Sequence, residues 1–141
     1  MNIIYFVPNI TIAGGIFRIV SDKMNYLAEN MEGRLFLAYY GNGQEKPIYP
    51  LHPNIQLLPI DIEWKVGFGK KINRVWKNIS IIRHIFKKYK IDIAVNANAP
   101  LLIWILPFIC RRIKKIHEFH FSYTLNPQLH SRSATYKRNG L

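Results

Sequence analysis

The sequence contains very little cysteine and no long apolar run, and both absences narrow the class of protein. Its single cysteine, Cys110, excludes an internal disulfide, and its apolar neighbours predict a core position for it. The longest apolar run, residues 99–110, is interrupted by Pro107 and is well short of the roughly 20 residues that span a bilayer. Met1-Asn2 leads straight into an apolar segment without a charged signal region. We therefore expect a globular, cytosolic protein.

Acidic residues are also scarce, and the charges are unevenly distributed. The chain has 20 Lys and Arg against 8 Asp and Glu, which gives a net charge of +12. Residues 1–63 carry four basic and six acidic side chains, whereas residues 64–117 carry thirteen basic ones and one acid, Asp92. Such asymmetry predicts a polyanionic neighbour, namely nucleic acid, an anionic membrane surface or a phosphorylated substrate.

Apolar periodicity predicts that strands alternate with helices. Apolar runs indicate strands at 3–7, 34–40, 54–60, 91–95 and 115–119, with Pro59 favouring a sheet edge for the third. Three- and four-residue spacing indicates helices over 15–31, over 70–90 with Trp76 on the apolar face, and from Pro100 through 101–112 with a break at Pro107. This order predicts an α/β fold with a parallel sheet covered on both faces.

The sequence lacks the G-x-G-x-x-G and G-x-x-x-x-G-K-[ST] nucleotide fingerprints, but Gly14-Gly15 stands between the first strand and the first helix. Paired glycines at such a turn often serve tight packing or a positive φ, and spacing alone favours this role. They also leave backbone N–H groups open at a helix N-terminus, which attracts phosphate. Both interpretations remain open at this point.

The position of the two glycines in the predicted sheet favours a ligand-binding role over a packing role. Ligands of parallel sheets bind beyond the carboxyl ends of the strands. Gly14-Gly15, Gly41-Asn-Gly43, Asn96-Ala-Asn98 and the cluster His117-Glu118-Phe119-His120 each follow or end a predicted strand. We therefore expect these segments to meet at one rim.

The cluster at 117–120 is the only dense group of titratable side chains. Alternation along a strand places Glu118 and His120 on one face, where the carboxylate can orient an imidazole that handles a proton or binds a hydroxyl. No nearby Cys, Asp or His supplies further ligands, so no metal site is predicted. The alternative is an ordinary surface histidine pair. The aromatic residues of the basic helix fall on its apolar face, which favours positions in the protein core over a role in stacking on nucleic-acid bases. The sequence contains no nucleic-acid-binding motif.

Four segments in order resemble glycosyltransferase family 4. Residues 14–28, GGIFRIVSDKMNYLA, resemble the pattern GG-x-E-R-V-x-x-x-L-A-N-x-L that opens the first helix of its N-terminal domain. Residues 49–57, YPLHPNIQL, resemble "y-p-l-d-p-n-i", and residues 89–95, YKIDIAV, resemble "k-P-D-v-v-i". Residues 115–122, KIHEFHFS, resemble E-x-H-f-s. Phe17 departs from the pattern, because it replaces the glutamate that precedes Arg18 in the family.

The resemblance implies the Rossmann-like, acceptor-binding half of a GT-B fold, a three-layer sandwich. It implies retaining, metal-independent transfer from a nucleotide-sugar, with no other cofactor, to a glycan or lipid-linked acceptor of surface polysaccharide or lipopolysaccharide. Gly14, Gly15 and Arg18 would face the donor diphosphate. His120 and Glu118 would form the catalytic pair, and the acceptor-side rim would be formed by Asn96, Asn98 and His117.

On the same resemblance, residues 1–125 form the acceptor domain, and residues 126–141 lead towards a second, nucleotide-binding domain that this chain lacks. We therefore expect the isolated chain to be inactive. Its basic stretch, residues 65–115, would hold it against the inner face of the cytoplasmic membrane, and an exposed cleft face would favour self-association. The alternatives are a basic, non-enzymatic α/β module for nucleic acid or another anionic partner, and a small Rossmann-like protein complete in itself.

Overall fold

The chain folds into alternating strands and helices. The computed structural model describes residues 1–61 and 71–120. Within these ranges the strands are β1 (Asn2–Val7), β2 (Arg34–Tyr40), β3 (Ile55–Ile60), β4 (Ile93–Ala97) and β5 (Lys114–Glu118). The helices are α1 (Gly15–Asn30), α2 (Lys71–Lys88) and α3 (Pro100–Ile105), and a 3-10 turn over Leu106–Phe108 follows α3.

The strands form one parallel sheet in the order β3-β2-β1-β4-β5. The register brings Phe6, Asn96 and His117 side by side across β1, β4 and β5. One residue further along, Ala97 pairs with Glu118 at the carboxyl edge. The chain proceeds from β1 to β2 on one side and later to β4 on the other, so the strand order reverses at β1.

This reversal determines where the helices lie. Right-handed crossovers in opposite directions place successive helices on opposite faces of a sheet. Accordingly α1 packs through Phe17, Val20 and Met24 on the face that also holds Tyr5, Val7 and Leu37. The other face holds Ile4, Phe6 and Phe36 beneath side chains of α2 and α3, namely Ile82, Phe86, Leu102 and Ile105. The protein is thus an α/β sandwich of three layers, consistent with a Rossmann-like fold.

Most predicted boundaries are confirmed to within two residues. The run at 34–40 coincides with β2, and β3 with Pro59 lies at the sheet edge. Pro100 begins α3, and the break at Pro107 is confirmed because the 3-10 turn there replaces the α-helix. β4 was predicted two residues early. Ile91 is instead used to close α2, since its N–H donates to the Phe86 carbonyl, 3.0 Å.

Two predicted burials are wrong. Trp76 is 61% exposed, although the sequence pattern placed it on the apolar face of the helix. Cys110 is exposed as well, because it stands in a turn with φ 47° between the 3-10 turn and β5. Apolar neighbours along the chain therefore did not predict burial at a turn.

Two further expectations concern membrane-spanning helices and segments that the structure does not describe. Within the described ranges, no helix has both the length and the apolarity that crossing a bilayer requires. The predicted tail at 126–141 and residues 65–70 of the basic stretch lie outside the described residues.

Candidate functional site

The N-terminus of α1 is open at the carboxyl edge of the sheet, near the strand-order reversal. Gly14 is the N-cap residue, with extended backbone (φ −158°, ψ 151°), and no side chain caps the helix. The first turn of α1 contains no acidic residue. Over residues 1–61 and 71–120, its first N–H groups therefore have no side-chain acceptor.

The two glycines are not required by packing. A Cβ built on Gly14 or on Gly15 meets no atom within 4 Å, and neither residue has a positive φ. The interpretation as a tight-packing or positive-φ turn is therefore wrong within this domain. What the glycines provide is free space next to the backbone N–H groups of the helix start.

Arg18 lies at the end of the first turn of α1. Its backbone N–H donates to the Gly14 carbonyl, 3.1 Å, and closes the first helical hydrogen bond. The residue is exposed. This position is compatible with a guanidinium that reaches an anion at the helix start, which is the role the sequence pattern assigns to it.

A group of hydrogen-bonded polar side chains lies at the end of β5. The predicted side-by-side placement of Glu118 and His120 is confirmed, because Glu118 Oε2 lies 3.1 Å from His120 Nε2. The same carboxylate oxygen accepts from Lys23 Nζ of α1 at 3.0 Å. The Glu118 and His120 side chains are only 18% and 11% exposed. When Nε2 of His120 donates to Glu118, the neutral ring keeps Nδ1 as its acceptor atom.

Tyr5 of β1 is the other ionisable group near this carboxylate. Its burial, and to a smaller degree the negative charge of Glu118, raises the pKa of Tyr5 to about 12. The phenol therefore stays protonated through the physiological range. Tyr5 and Lys23 are absent from the sequence-based site, because their proximity to Glu118 depends on strand order and on the rotation of α1.

Asn96 and His117 face the opposite side of the sheet and contact each other. The Asn96 Oδ1 accepts from the Ala99 N–H at 2.9 Å, and its Nδ2 donates to the Ala99 carbonyl at 3.1 Å. Nδ2 also lies 3.2 Å from His117 Nδ1. Asn96 is 1% exposed. Its buried amide thus shapes the turn into α3, and it is not part of an open rim.

The Asn96 amide also determines the protonation of His117. Because Ala99 N–H needs Oδ1, the nitrogen of the amide must face His117, so Nδ1 of the ring accepts and Nε2 carries the proton. Nε2 is buried and has no hydrogen-bond partner among the described residues. Burial lowers the pKa of His117 below its usual range, which favours the neutral ring.

Asn98 completes the segment after β4. It is half-buried and has φ 64°, in the left-handed region that asparagine tolerates better than most residues. The structure therefore gives Asn98 a turn role between β4 and α3. Among the described residues, no hydrogen bond or ion pair joins it to the Glu118–His120 pair.

The predicted site residues thus form at least three groups, one of which is the contact of Asn96 with His117 on the opposite side of the sheet. Gly14, Gly15 and Arg18 lie at the α1 start beyond β1, whereas Glu118 and His120 lie at the end of β5. β1 and β5 are two strands apart, which corresponds to roughly 10 Å at the usual strand spacing. Over residues 1–61 and 71–120, no group of three or more His, Cys, Asp or Glu side chains is arranged to hold a metal ion.

These features define the class: a parallel α/β sandwich with an open helix start and a carboxylate–imidazole pair at the carboxyl edge. Comparisons with protein-family models, with curated proteins and with solved structures yield no match for this chain.

The burial of His117 predicts how stability depends on pH, because burial lowers the pKa of this histidine. The pKa of His117 in the folded state lies below its unfolded value of about 6.5, so the unfolded chain binds more protons between the two values. The stabilisation is therefore complete above pH ~6.5 and declines as the pH falls towards the folded pKa. Urea unfolding at pH 7.5 and 5.5 should show a smaller loss for His117→Gln than for the unaltered chain.

The matched control is His84→Gln, because His84 is exposed on α2. This variant should keep the pH dependence of the unaltered chain. An equal loss of stability in the His117 and His84 variants would contradict the assignment.

Proposed function

We propose that this chain is the N-terminal, acceptor-binding domain of a GT-B glycosyltransferase. The enzyme would transfer a sugar from a nucleotide-sugar to a glycan or lipid-linked acceptor during synthesis of surface polysaccharide or lipopolysaccharide. One observation carries the proposal: the N-terminus of α1 is uncapped, exposed and free of any atom that would meet a Cβ on its two glycines. A phosphate group fits such a position, because the helix dipole and unpaired N–H groups both favour an anion.

The pair at the end of β5 supports the reactive side of the proposal. With Nε2 of His120 directed at Glu118, Nδ1 is the ring atom left to accept a hydrogen bond from a sugar hydroxyl. Lys23 holds the carboxylate from the side of α1, so the position of the imidazole is fixed from two elements. Glu118 is thus a positioning residue, and His120 is the residue that would touch substrate.

The proposed location is the inner face of the cytoplasmic membrane, where a lipid-linked acceptor is available. Thirteen of the chain's basic residues lie in 64–117, with one acid among them, so an anionic surface would attract this half of the chain. The attraction is peripheral, since no described helix qualifies as a membrane span.

Transfer to a lipid-extractable product tests the function. The protein that carries this domain together with its nucleotide-binding partner domain should transfer label from one of a panel of nucleotide-sugars to lipid acceptors of a bacterial envelope. The isolated 141-residue chain should not. Transfer by the isolated chain would contradict the proposal that activity also requires the nucleotide-binding domain. Salt-dependent binding of nucleic acid at micromolar affinity or better, without transfer, would favour the non-enzymatic alternative.

Gly15→Ala separates ligand binding from packing at the helix start. The new methyl group enters free space, and alanine favours a helix over glycine by up to about 1 kcal/mol, so stability should be unchanged or slightly higher. The same methyl group occupies the space that a diphosphate needs, so kcat/KM for the nucleotide-sugar should fall about tenfold or more, ~1.4 kcal/mol. Urea unfolding and steady-state transfer measure the two effects. Unchanged transfer would contradict the proposal that the diphosphate binds at this position.

A further inference from the structure

Two aromatic side chains protrude from α3 and the turn that follows it. Trp104 is 76% exposed and Phe108 is 79% exposed. Trp104 stands in the last turn of α3 and Phe108 at the end of the 3-10 turn that follows, so both are exposed on one short segment. The inward side is formed by Leu102, Leu106 and Ile109, all fully buried. A surface helix on a sheet normally presents polar side chains outward, whereas this one presents its largest apolar ones.

The segment that carries them is held in place by its own hydrogen bonds. The Ile109 N–H donates to the Leu106 carbonyl and the Ile113 N–H to the Cys110 carbonyl, each at 3.1 Å. Lys115 Nζ donates to the same Cys110 carbonyl at 2.9 Å. The turn is thus fixed on both sides of its tip, and the exposed aromatic residues are presented on a rigid support.

Positive charge surrounds the aromatic pair. Arg111, Arg112 and Lys114 are exposed, and the sequence contains no acid from residue 93 to residue 117. Of residues 107–112, only Ile109 is buried, so the turn presents nearly all its side chains to solvent, while Arg112 and Lys114 also line an open cavity beside Asp92. We call residues 104–114 the α3 corner.

We propose that the α3 corner inserts Trp104 and Phe108 into the interface of an anionic bilayer, with Arg111, Arg112 and Lys114 contacting lipid phosphates. Tryptophan and phenylalanine partition into the headgroup boundary, and flanking cations strengthen such binding on anionic lipid. The inference deepens the membrane association in the proposed function by naming its surface and mode. A second copy of this chain is disfavoured as the occupant, because two basic corners would repel each other.

The single cysteine provides a site-specific reporter, because Cys110 is exposed between Phe108 and Arg111. An environment-sensitive fluorophore on Cys110 should shift to shorter wavelength with phosphatidylcholine vesicles that contain phosphatidylglycerol, and much less with phosphatidylcholine alone. The variant Trp104→Ser/Phe108→Ser should reduce partitioning into the anionic vesicles at least tenfold. Arg111→Gln/Arg112→Gln should reduce partitioning at low salt and make it less sensitive to salt.

Tyr26→Ser is the matched control, because Tyr26 is an exposed aromatic residue of α1 on the opposite face of the sheet. It should bind vesicles as the unaltered chain does, and all variants should unfold at the same urea concentration. The proposal is overturned if the fluorophore does not shift, or if the Ser double variant partitions normally. It is also overturned if that variant instead abolishes self-association or oligonucleotide binding. In the protein that carries this domain together with its nucleotide-binding partner domain, vesicle binding without sugar transfer would refute the proposed function alone, and transfer without vesicle binding would refute this inference alone.

Discussion

Gly33→Ala is expected to lower the free energy of unfolding by about 3 kcal/mol. Gly33 precedes β2 with φ 141°, a conformation that L side chains rarely adopt. A Cβ at this position would overlap the backbone carbonyl oxygen of Met1. The substitution therefore combines backbone strain with a steric clash at the start of the β1–β2 pair.

The clash cannot be relieved by a small movement of the N-terminal residue. The Met1 carbonyl accepts from the Arg34 N–H at 3.2 Å, and the other side of the same peptide group is held because its N–H, that of Asn2, donates to Asp92 Oδ2 at 2.7 Å. Moving Met1 away would break contacts to both β2 and the segment before β4. The strain is therefore distributed over three strands instead of a free chain end.

Urea unfolding with Gly14→Ala as the control measures this effect. Both variants add one methyl group at a glycine that adjoins a regular element, but at Gly14 the methyl group meets nothing within 4 Å. Gly14→Ala should therefore change stability little, by about 0.5 kcal/mol or less in either direction. Equal stability of the two variants would show that the β1–β2 edge yields to the Met1 contact without cost.

The central strands β1 and β2 could be predicted because they are buried on both faces. All five residues from Leu35 to Tyr39 are buried, so the sequence of β2 is a continuous apolar run whose ends are visible. β4 could be placed only approximately, because Ile91 is apolar and buried but serves the end of α2. A buried apolar residue does not reveal which neighbouring element it belongs to.

Helix faces are predictable only when the angle around the helix is counted. Trp76 is six residues before the fully buried Ile82, a rotation of about 240°, whereas Val75 is seven residues before it and lies on nearly the same side. Trp76 therefore points away from the sheet despite its apolar character. The size and the neighbours of Trp76 suggested burial, but the helical repeat places this residue on the exposed side of α2.

The site was predictable where it depended on one strand and unpredictable where it depended on several. Alternation carried two residues beyond the end of β5 suffices to bring Glu118 and His120 together. The contact between Asn96 and His117 requires the pairing of β4 with β5, and the ion pair of Lys23 with Glu118 requires α1 to lie across that pair. The local spacing of residues in the sequence indicates neither the strand order nor the positions of the helices, so these contacts could be identified only from the folded structure.

His120→Ala is expected to lower kcat/KM for sugar transfer by about 10²–10⁴-fold, the range typical for a lost acid–base group, in the protein that carries this domain. Its imidazole is the group that would contact a substrate hydroxyl, and Glu118 Oε2 at 3.1 Å sets its orientation. His84→Ala removes an exposed histidine from α2 and should leave transfer unchanged. Activity retained by the His120 variant would place the reactive group elsewhere.

A double-mutant cycle distinguishes the roles of the two residues. Glu118→Gln keeps the size of the side chain but removes its charge, so the imidazole loses its charged partner, and transfer should fall by about 10-fold. If Glu118 acts only through His120, combining both substitutions should cost no more than His120→Ala alone. Multiplicative losses in the double variant would instead assign Glu118 its own contact with substrate.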